Sequence, residues 1–479
     1  MSKFQTISSC TAFLAGKNAT TDGSTMIARN EDAGGGVNAK RFVVVNPADQ
    51  PSEYVSTFNQ FRVKLPENPL RYTETPNADV SDGLWGESGI NTANVAMSST
   101  ETEFTNTTML GLDPLVPDGI GEEAMLTCVL PYIHNAREGV KRLGDLVTKF
   151  GTCESNGIAF SDSDEVWYFE TVGGHHWAAE RIPDDAYAVA PNQTGIQEIN
   201  FDDPDHYMYS NDLKLFADKY HLNKARSGFN FRDIFGEDVV ADHYYNTPRV
   251  WYGQKLFNPE IQQDPESRTM PFTRVADHLI SVEDIAFFLS SHYQGTDFDP
   301  YGKTGTEESR LRYRPIGMNR NQEMHILQIR PDFPAEHAAI HWLAEGVNEF
   351  NAPVPFFANC TDTPDNFKHT PLRTTTESFY WLNKLVAMLA DPFFAEHDLD
   401  AMTAVSESRK FGFANGRAAV ATADAEFKNI ATDKLPEWHN QVNDKIAHAI
   451  TENVKDLLHQ LLLLRAEKMV PTFEKGGEL

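Results

Sequence analysis

Short apolar runs broken by turn chemistry dominate the first part of the chain, and they predict strands. Residues 10–15 form one such run, 17–23 with Asp22-Gly23 reads as a turn, and 24–29 resumes as a second strand. The two make a hairpin. If its ends close near Gly16 and Gly23, paired residues have numbers that sum to about 39, which sets Cys10 opposite Arg29. Residues 41–45 predict a third strand, and 89–99, with Ile90, Val95 and Met97, a fourth and a fifth.

Helices are predicted at about 121–134 and 136–149, the second stopped by Gly151. Strands return at 157–160, 165–170, 176–181 and 186–190, with the spacing of an antiparallel meander that leads into Pro191-Asn192-Gln193. The stretch 202–248 is polar and rich in Asp and Tyr, and reads as loops and short helices. A helix is predicted over 282–291 and a strand at His325-Ile326-Leu327-Gln328-Ile329. Beyond about Pro364 the pattern changes. Trp438, Val442, Ile446, Ile450, Val454 and Leu458 recur every fourth position, the stripe of a long amphipathic helix. That stripe packs either into this chain's own core or against a partner helix in a homo-oligomer.

Composition narrows the function classes. A formal net charge of -28 on 479 residues would repel phosphates, which excludes nucleic acid and anionic membrane as partners and favours substrates with a free ammonium group. Four cysteines, Cys10, Cys128, Cys153 and Cys360, are too few and too scattered for a disulfide scaffold, which suits a reducing cytoplasm. Residues 1–9 carry no apolar core of secretory length and read as a short leader. Leu461-Leu462-Leu463-Leu464 is far too short to span a membrane.

The candidate chemistry centres on Cys10, preceded by Ser8-Ser9. If residues 1–9 are cut away, through attack of Cys10 on the Ser9-Cys10 bond in an N-to-S acyl shift, one residue supplies both a sulfur nucleophile and a free α-amine. That amine has a reference pKa of about 7.7 to 8.0, close enough to neutrality to act as a base. Arg29 would favour the thiolate, and Asp32 would hold the amine or Arg29 in place. A cysteine at a strand start is otherwise a small buried hydrophobe, and the residues alone leave both readings standing.

Cys10-Thr11 followed by Asp22-Gly23-Ser24-Thr25-Met26-Ile27-Ala28-Arg29-Asn30-Glu31-Asp32 resembles the cysteine dipeptidases of peptidase family C69, related to the secernins. More distantly the chain is similar to penicillin V acylases and bile salt hydrolases. The likeness continues at Gly89-Ile90-Asn91, Val95-Ala96-Met97-Ser98, Thr100-Glu101-Thr102, Trp177-Ala178-Ala179-Glu180-Arg181, Asn192-Gln193, Arg314-Pro315 and 322–330. It implies an α+β fold, the αββα sandwich of an N-terminal nucleophile hydrolase over 10–364, with 365–479 a helical C-terminal extension. It also implies Cys10 as nucleophile, Arg29 and Asp32 as the residues orienting thiol and amine, and Asn192 near the oxyanion.

Two places depart from the acylase pattern. A further asparagine of that family falls where this chain reads Thr100-Glu101, so a backbone N–H is the other candidate for the second oxyanion donor. The late active-site arginine has no clear match, and Arg320 in Gly317-Met318-Asn319-Arg320-Asn321 is nominated for it. The implied activity is hydrolysis of small peptides with a free amino terminus, through a thioester and with no cofactor. The rivals are a linear-amide hydrolase of N-acyl groups and a non-catalytic secernin-like interaction protein.

Other signals are set aside. His337 and His341 lack the glutamate that a zincin places directly after its first histidine, and His175-His176 gives no ligand spacing, so no metal is expected. Gly34-Gly35-Gly36 lacks the lysine of a phosphate loop and reads as a turn beside the site. No Gly-x-Ser-x-Gly elbow is present.

Overall fold

The computed structural model describes residues 10–33, 36–101 and 104–469; the expected leader, 1–9, lies outside the described residues, as do Gly34 and Gly35. Strand β1 (Thr11–Ala15) and β2 (Thr25–Asp32) form the expected hairpin. Its register differs from the sequence expectation. Ala12 pairs with Arg29 and Ala15 with Met26, two residues away from a Cys10–Arg29 pairing. The turn is longer because Lys17–Ala19 coils into a 3-10 turn, Thr20 is drawn to Ile280, and the Thr20 hydroxyl donates to the Ser24 carbonyl. A slip of two keeps every side chain on its face, whereas a slip of one would have inverted the strand.

Two small ribbons follow, β3 (Val43–Val45) with β6 (Tyr72–Glu74), and β4 (Glu53–Val55) with β5 (Arg62–Lys64). The second large sheet is then laid down by β7 (Ser88–Ile90), β8 (Ala96–Glu101), β9 (Asn156–Ser161), β10 (Val166–Val172) and β11 (His176–Ile182). β12 (Ala186–Ala190) does not extend this meander as the spacing suggests. It crosses to the first sheet and pairs with β1, Ala12 against Ala190. The remaining strands are β13 (Tyr207–Tyr209), β14 (Thr273–Val275), β15 (Asn321–Ile329), β16 (Ala339–Glu345) and β17 (Val354–Phe357). The sheet orders are β14-β12-β1-β2-β15-β16-β17 and β13-β11-β10-β9-β8-β7, with every ladder antiparallel.

The alternation along β1 shows how these sheets stack. Leu14 enters the cluster between the sheets with Ile27, Leu327, Ile90, Ala159 and Tyr168, while Phe13 faces outward with Met26, Ile326 and Trp342 against Tyr252, Ile285 and Phe288. The outer face of the second sheet, with Met97, Phe160 and Trp167, is covered by Met125, Leu126, Val140 and Leu143 of the helices Glu122–Val129 and Ala136–Phe150. Gly151 caps the latter at φ 73°, a left-handed conformation that glycine adopts without strain. The result is the four-layer αββα arrangement that the resemblance implied.

The stripe from Trp438 to Leu458 lies on the helix Leu435–Glu467, and Ile446, Ile450, Val454 and Leu458 pack with Leu343 and Phe356 of the first sheet. The helices Phe379–Ala395 and Leu399–Glu426 share that cluster through Leu382, Val386 and Val405. His337 and His341 are not on one helical face: His337 sits in the one-turn helix Ala335–Ala338 and His341 in β16. The His337 ring bridges Asp424 and His439 at 2.8 and 2.9 Å, joining the C-terminal helices to the sandwich. Among the described residues, no helix is long and apolar enough to cross a membrane.

Candidate active site

Cys10 directly precedes β1, the third strand of its sheet, with β12 on one side and β2 on the other. Its thiol lies 3.1 Å from the Arg29 Nη1 and also meets the Thr100 side chain on β8 and the Asp32 backbone N–H. The two-residue register shift therefore leaves the sequence expectation chemically intact, because Arg29 stays on the face of Cys10 and its long side chain covers the offset. Burial pushes the thiol pKa up and Asp32 adds to this; Arg29 pulls it down without reversing it. At neutral pH this sulfur rests as a thiol, so it needs a base before it can attack.

Arg29 is fully buried and shared between the sulfur and two carboxylates, Glu87 Oε2 at 2.6 Å and Glu122 Oε1 at 3.2 Å. Around it lies an acidic interior that the sequence did not mark. Lys40 meets Glu31 at 2.9 Å and Glu87 at 3.8 Å, and His325 bridges Glu323 and the Ser98 hydroxyl, each at 2.8 Å. Burial works against the charge on Glu87, but Lys40 and Arg29 hold its pKa below the usual range. Burial with the Glu87 charge pushes Glu31 up to about 8, and burial pushes Glu323 up to about 8 against the pull of Arg29.

This interior has a consequence for stability. A carboxyl whose folded pKa lies above its unfolded value, about 4.3, binds its proton more tightly in the folded chain. Its contribution is fully present below the unfolded value and is lost as pH rises through the folded one, here about 8. The melting temperature is expected to fall between about pH 4 and pH 8, and Glu323→Gln to flatten that fall in differential scanning calorimetry.

Asp32 ends β2 on the opposite face from Arg29. Its carboxylate takes the Arg314 guanidinium through a short Nη2 contact and accepts from Asn321 Nδ2 at 3.1 Å. Asn192 follows β12 and is fully buried. Its Oδ1 accepts from Arg249 Nη2 at 2.7 Å, and since a guanidinium only donates, the free end of the amide is Nδ2. Among the described residues that Nδ2 has no hydrogen-bond partner. A buried N–H without an acceptor is costly, and it suits a site where an oxyanion forms only in transit.

Arg249 is the residue that sequence reasoning missed. Its Nη1 donates to the Cys10 carbonyl at 2.6 Å and to the Thr11 hydroxyl at 2.8 Å, while Nη2 also takes Asn246 Oδ1. One guanidinium thus fixes the nucleophile's backbone and the Asn192 amide together. Burial, with Arg314 nearby, lowers its pKa to about 9. The sequence held one signal: Arg249 stands in the first turn of the helix Thr247–Phe257, where a cation opposes the helix dipole and needs a local partner.

Arg320 lies elsewhere. Its carbonyl accepts from the Ala33 N–H at 3.2 Å, its guanidinium reaches Met318 Sδ at 3.9 Å, and it lines an open cleft with Lys384 and Trp381. The arginines brought to Cys10, Thr11 and Asp32 are Arg29, Arg249 and Arg314. His175 and His176 both turn their Nδ1 atoms to Asp113, at 2.8 and 2.7 Å.

Comparison with known proteins finds relatives along nearly the whole chain. A "Probable dipeptidase A" of Streptococcus pyogenes serotype M3 is 47% identical over 97% of this chain and 99% of its own length, and "Dipeptidase A" of Lactobacillus helveticus is 44% identical over 95% and 96%. Among solved structures, a mutant conjugated bile acid hydrolase from Clostridium perfringens covers 73% of this chain and 92% of its own at 11% identity, with a TM-score of 0.36, too low to weigh. The description Peptidase family C69 matches residues 9–407. With most of its length so matched and its thiol at the head of a central strand, the chain belongs to peptidase family C69 and is a hydrolase of peptide bonds.

Proposed function

We propose that this chain is a cysteine dipeptidase whose nucleophile is Cys10, matured by removal of residues 1–9. The observation that carries the site is the Arg249 guanidinium, which ties the Cys10 carbonyl to Asn192 and, among the described residues, leaves the Asn192 Nδ2 without an acceptor. The dipeptide preference is supported by the names of the two bacterial relatives.

In this mechanism the α-amine freed at Cys10 takes the thiol proton, which the raised thiol pKa makes necessary. The sulfur adds to the scissile carbonyl, Arg29 offsetting its charge and Asn192 Nδ2 donating to the oxyanion. Collapse breaks the C–N bond, and the α-ammonium protonates the departing amine to leave a thioester. The same amine then removes a proton from water as that water attacks the thioester, and the sulfur leaves with the proton returned. Arg314 and Asn321 hold Asp32, whose backbone N–H faces the thiol.

A reducing cytoplasm fits the four free thiols. Exposed Leu399, Leu462 and Leu463, on helices joined there by the Lys468–Asp398 and Arg465–Glu396 ion pairs, fit association between copies. The test is turnover of dipeptides and of N-acyl amides by one preparation, with its intact mass. Dipeptide hydrolysis by a chain beginning at Cys10 is expected. Preference for N-acyl amides would replace this reading with the linear-amide one.

A further inference from the structure

We infer that the cleft between the helix Phe379–Ala395 and the segment 319–320 binds the C-terminal residue of the peptide, with its carboxylate held by Arg320 and Lys384. This inference rests on the dipeptidase reading and adds a substrate subsite to it.

The cleft has a volume of about 340 Å³, room for one amino-acid residue with a large side chain. One wall is a single helix face, Trp381, Lys384, Leu385 and Met388, at the i, i+3, i+4, i+7 spacing that aligns side chains. The other wall brings Arg320 and Val37. Among the described residues, Met388 and Val37 are 71% and 53% exposed, an apolar surface. Two cations among apolar walls match an anion that carries an apolar body, which is the chemistry of a peptide's last residue. Asp391, the carboxylate in this lining, already accepts from the Tyr301 hydroxyl.

Lys384 is built for this task. It is 8% exposed, and its ammonium donates to the Asn319 and Asn321 carbonyls at 3.2 and 3.0 Å. An ammonium has three N–H donors, so among the described residues one is left for a ligand. An ammonium buried against neutral carbonyls alone is poorly compensated, and burial lowers its pKa to about 8 although Asp32 favours the charge. A bound carboxylate supplies the missing counter-charge.

Position relates the cleft to the nucleophile. The Asp32 N–H meets the Cys10 sulfur, and the next N–H, of Ala33, donates to the Arg320 carbonyl at 3.2 Å. That path puts the Arg320 backbone within roughly 11 Å of the sulfur, and an arginine side chain plus an extended residue bridges such a gap. Val37 follows on the same segment. The cleft therefore lies on the side of Cys10 marked by Asp32, where a departing amine can carry its carboxylate.

The test compares dileucine with dileucine amide on wild type, Arg320→Gln, Arg320→Lys and Lys384→Met. The inference expects KM for dileucine to rise about 10- to 100-fold in Arg320→Gln and Lys384→Met with kcat within a few-fold, KM for the amide unchanged, and partial recovery in Arg320→Lys. Arg320 is only half-buried, so its variants keep the test sound if Lys384→Met fails to fold. Unchanged KM for dileucine in Arg320→Gln, or equal losses on acid and amide, overturns the subsite and leaves the dipeptidase reading in place. Wild type that cleaves neither compound but does cleave N-acyl amides overturns both.

Discussion

Cys10→Ala is expected to lose peptide hydrolysis by more than about 10⁴-fold and to retain residues 1–9. Both losses follow from one atom. In the proposed mechanism the sulfur is the nucleophile toward substrate and toward its own preceding carbonyl, so its removal is expected to stop hydrolysis and maturation together. Intact mass and dipeptide turnover on the same sample read the two effects. Cys10→Ser grades them: the hydroxyl keeps the position beside Arg29, but its far higher pKa slows both steps. Wild-type protein that is fully active with residues 1–9 attached would sink this account, because the amine would then be locked in an amide.

Asn192→Ala is expected to lower kcat about 10²- to 10³-fold with little change in KM, the loss typical of one oxyanion donor. Asn192→Asp makes the test sharp. Aspartate keeps an oxygen for the Arg249 guanidinium, so a purely structural role for Asn192 would be preserved. Its second oxygen, however, replaces the unpartnered Nδ2 with an acceptor that repels a developing oxyanion. Loss of kcat in Asn192→Asp as large as in Asn192→Ala supports the donor role, and retention of kcat in Asn192→Asp assigns the residue to scaffolding Arg249.

The features legible in the sequence were the local ones. Short apolar runs bounded by turn residues located β1, β2 and β9 to β12, and Gly151 marked the end of its helix, because each depends on neighbours in the chain. Cys10 with Arg29 was legible for the same reason: an error of two in register does not change which face a side chain occupies. The transfer of β12 to the nucleophile's sheet was not, since spacing alone cannot say with which strand a run pairs. Of the short ribbons, β3 falls within the strand expected at 41–45, whereas β4, β5 and β6 are three residues each, too short for a pattern to declare itself.

Charged residues were the least legible. Nothing in the sequence marks Glu31, Glu87, Glu122 and Glu323 as a group, yet they are gathered from distant parts of the chain around Arg29 and Lys40 inside the protein. Arg249 lies just past the polar stretch 202–248, and its role comes from three partners, the Cys10 carbonyl before β1, the Asn192 amide after β12 and Asn246 before its own helix. Arg320 was nominated by position in the sequence, and its surroundings point to holding a ligand rather than to the reacting atoms.

The strand that begins at Cys10 is flanked on both edges and roofed on both faces. Among the described residues, the neighbouring strands and packed faces leave the strand's end as the way in to Cys10. Enzymes that cut within long polypeptides need an open trough on either side of the bond, where residues before and after it can lie. A dipeptide has one residue on either side of its scissile bond, and its small size suits an approach along the strand axis.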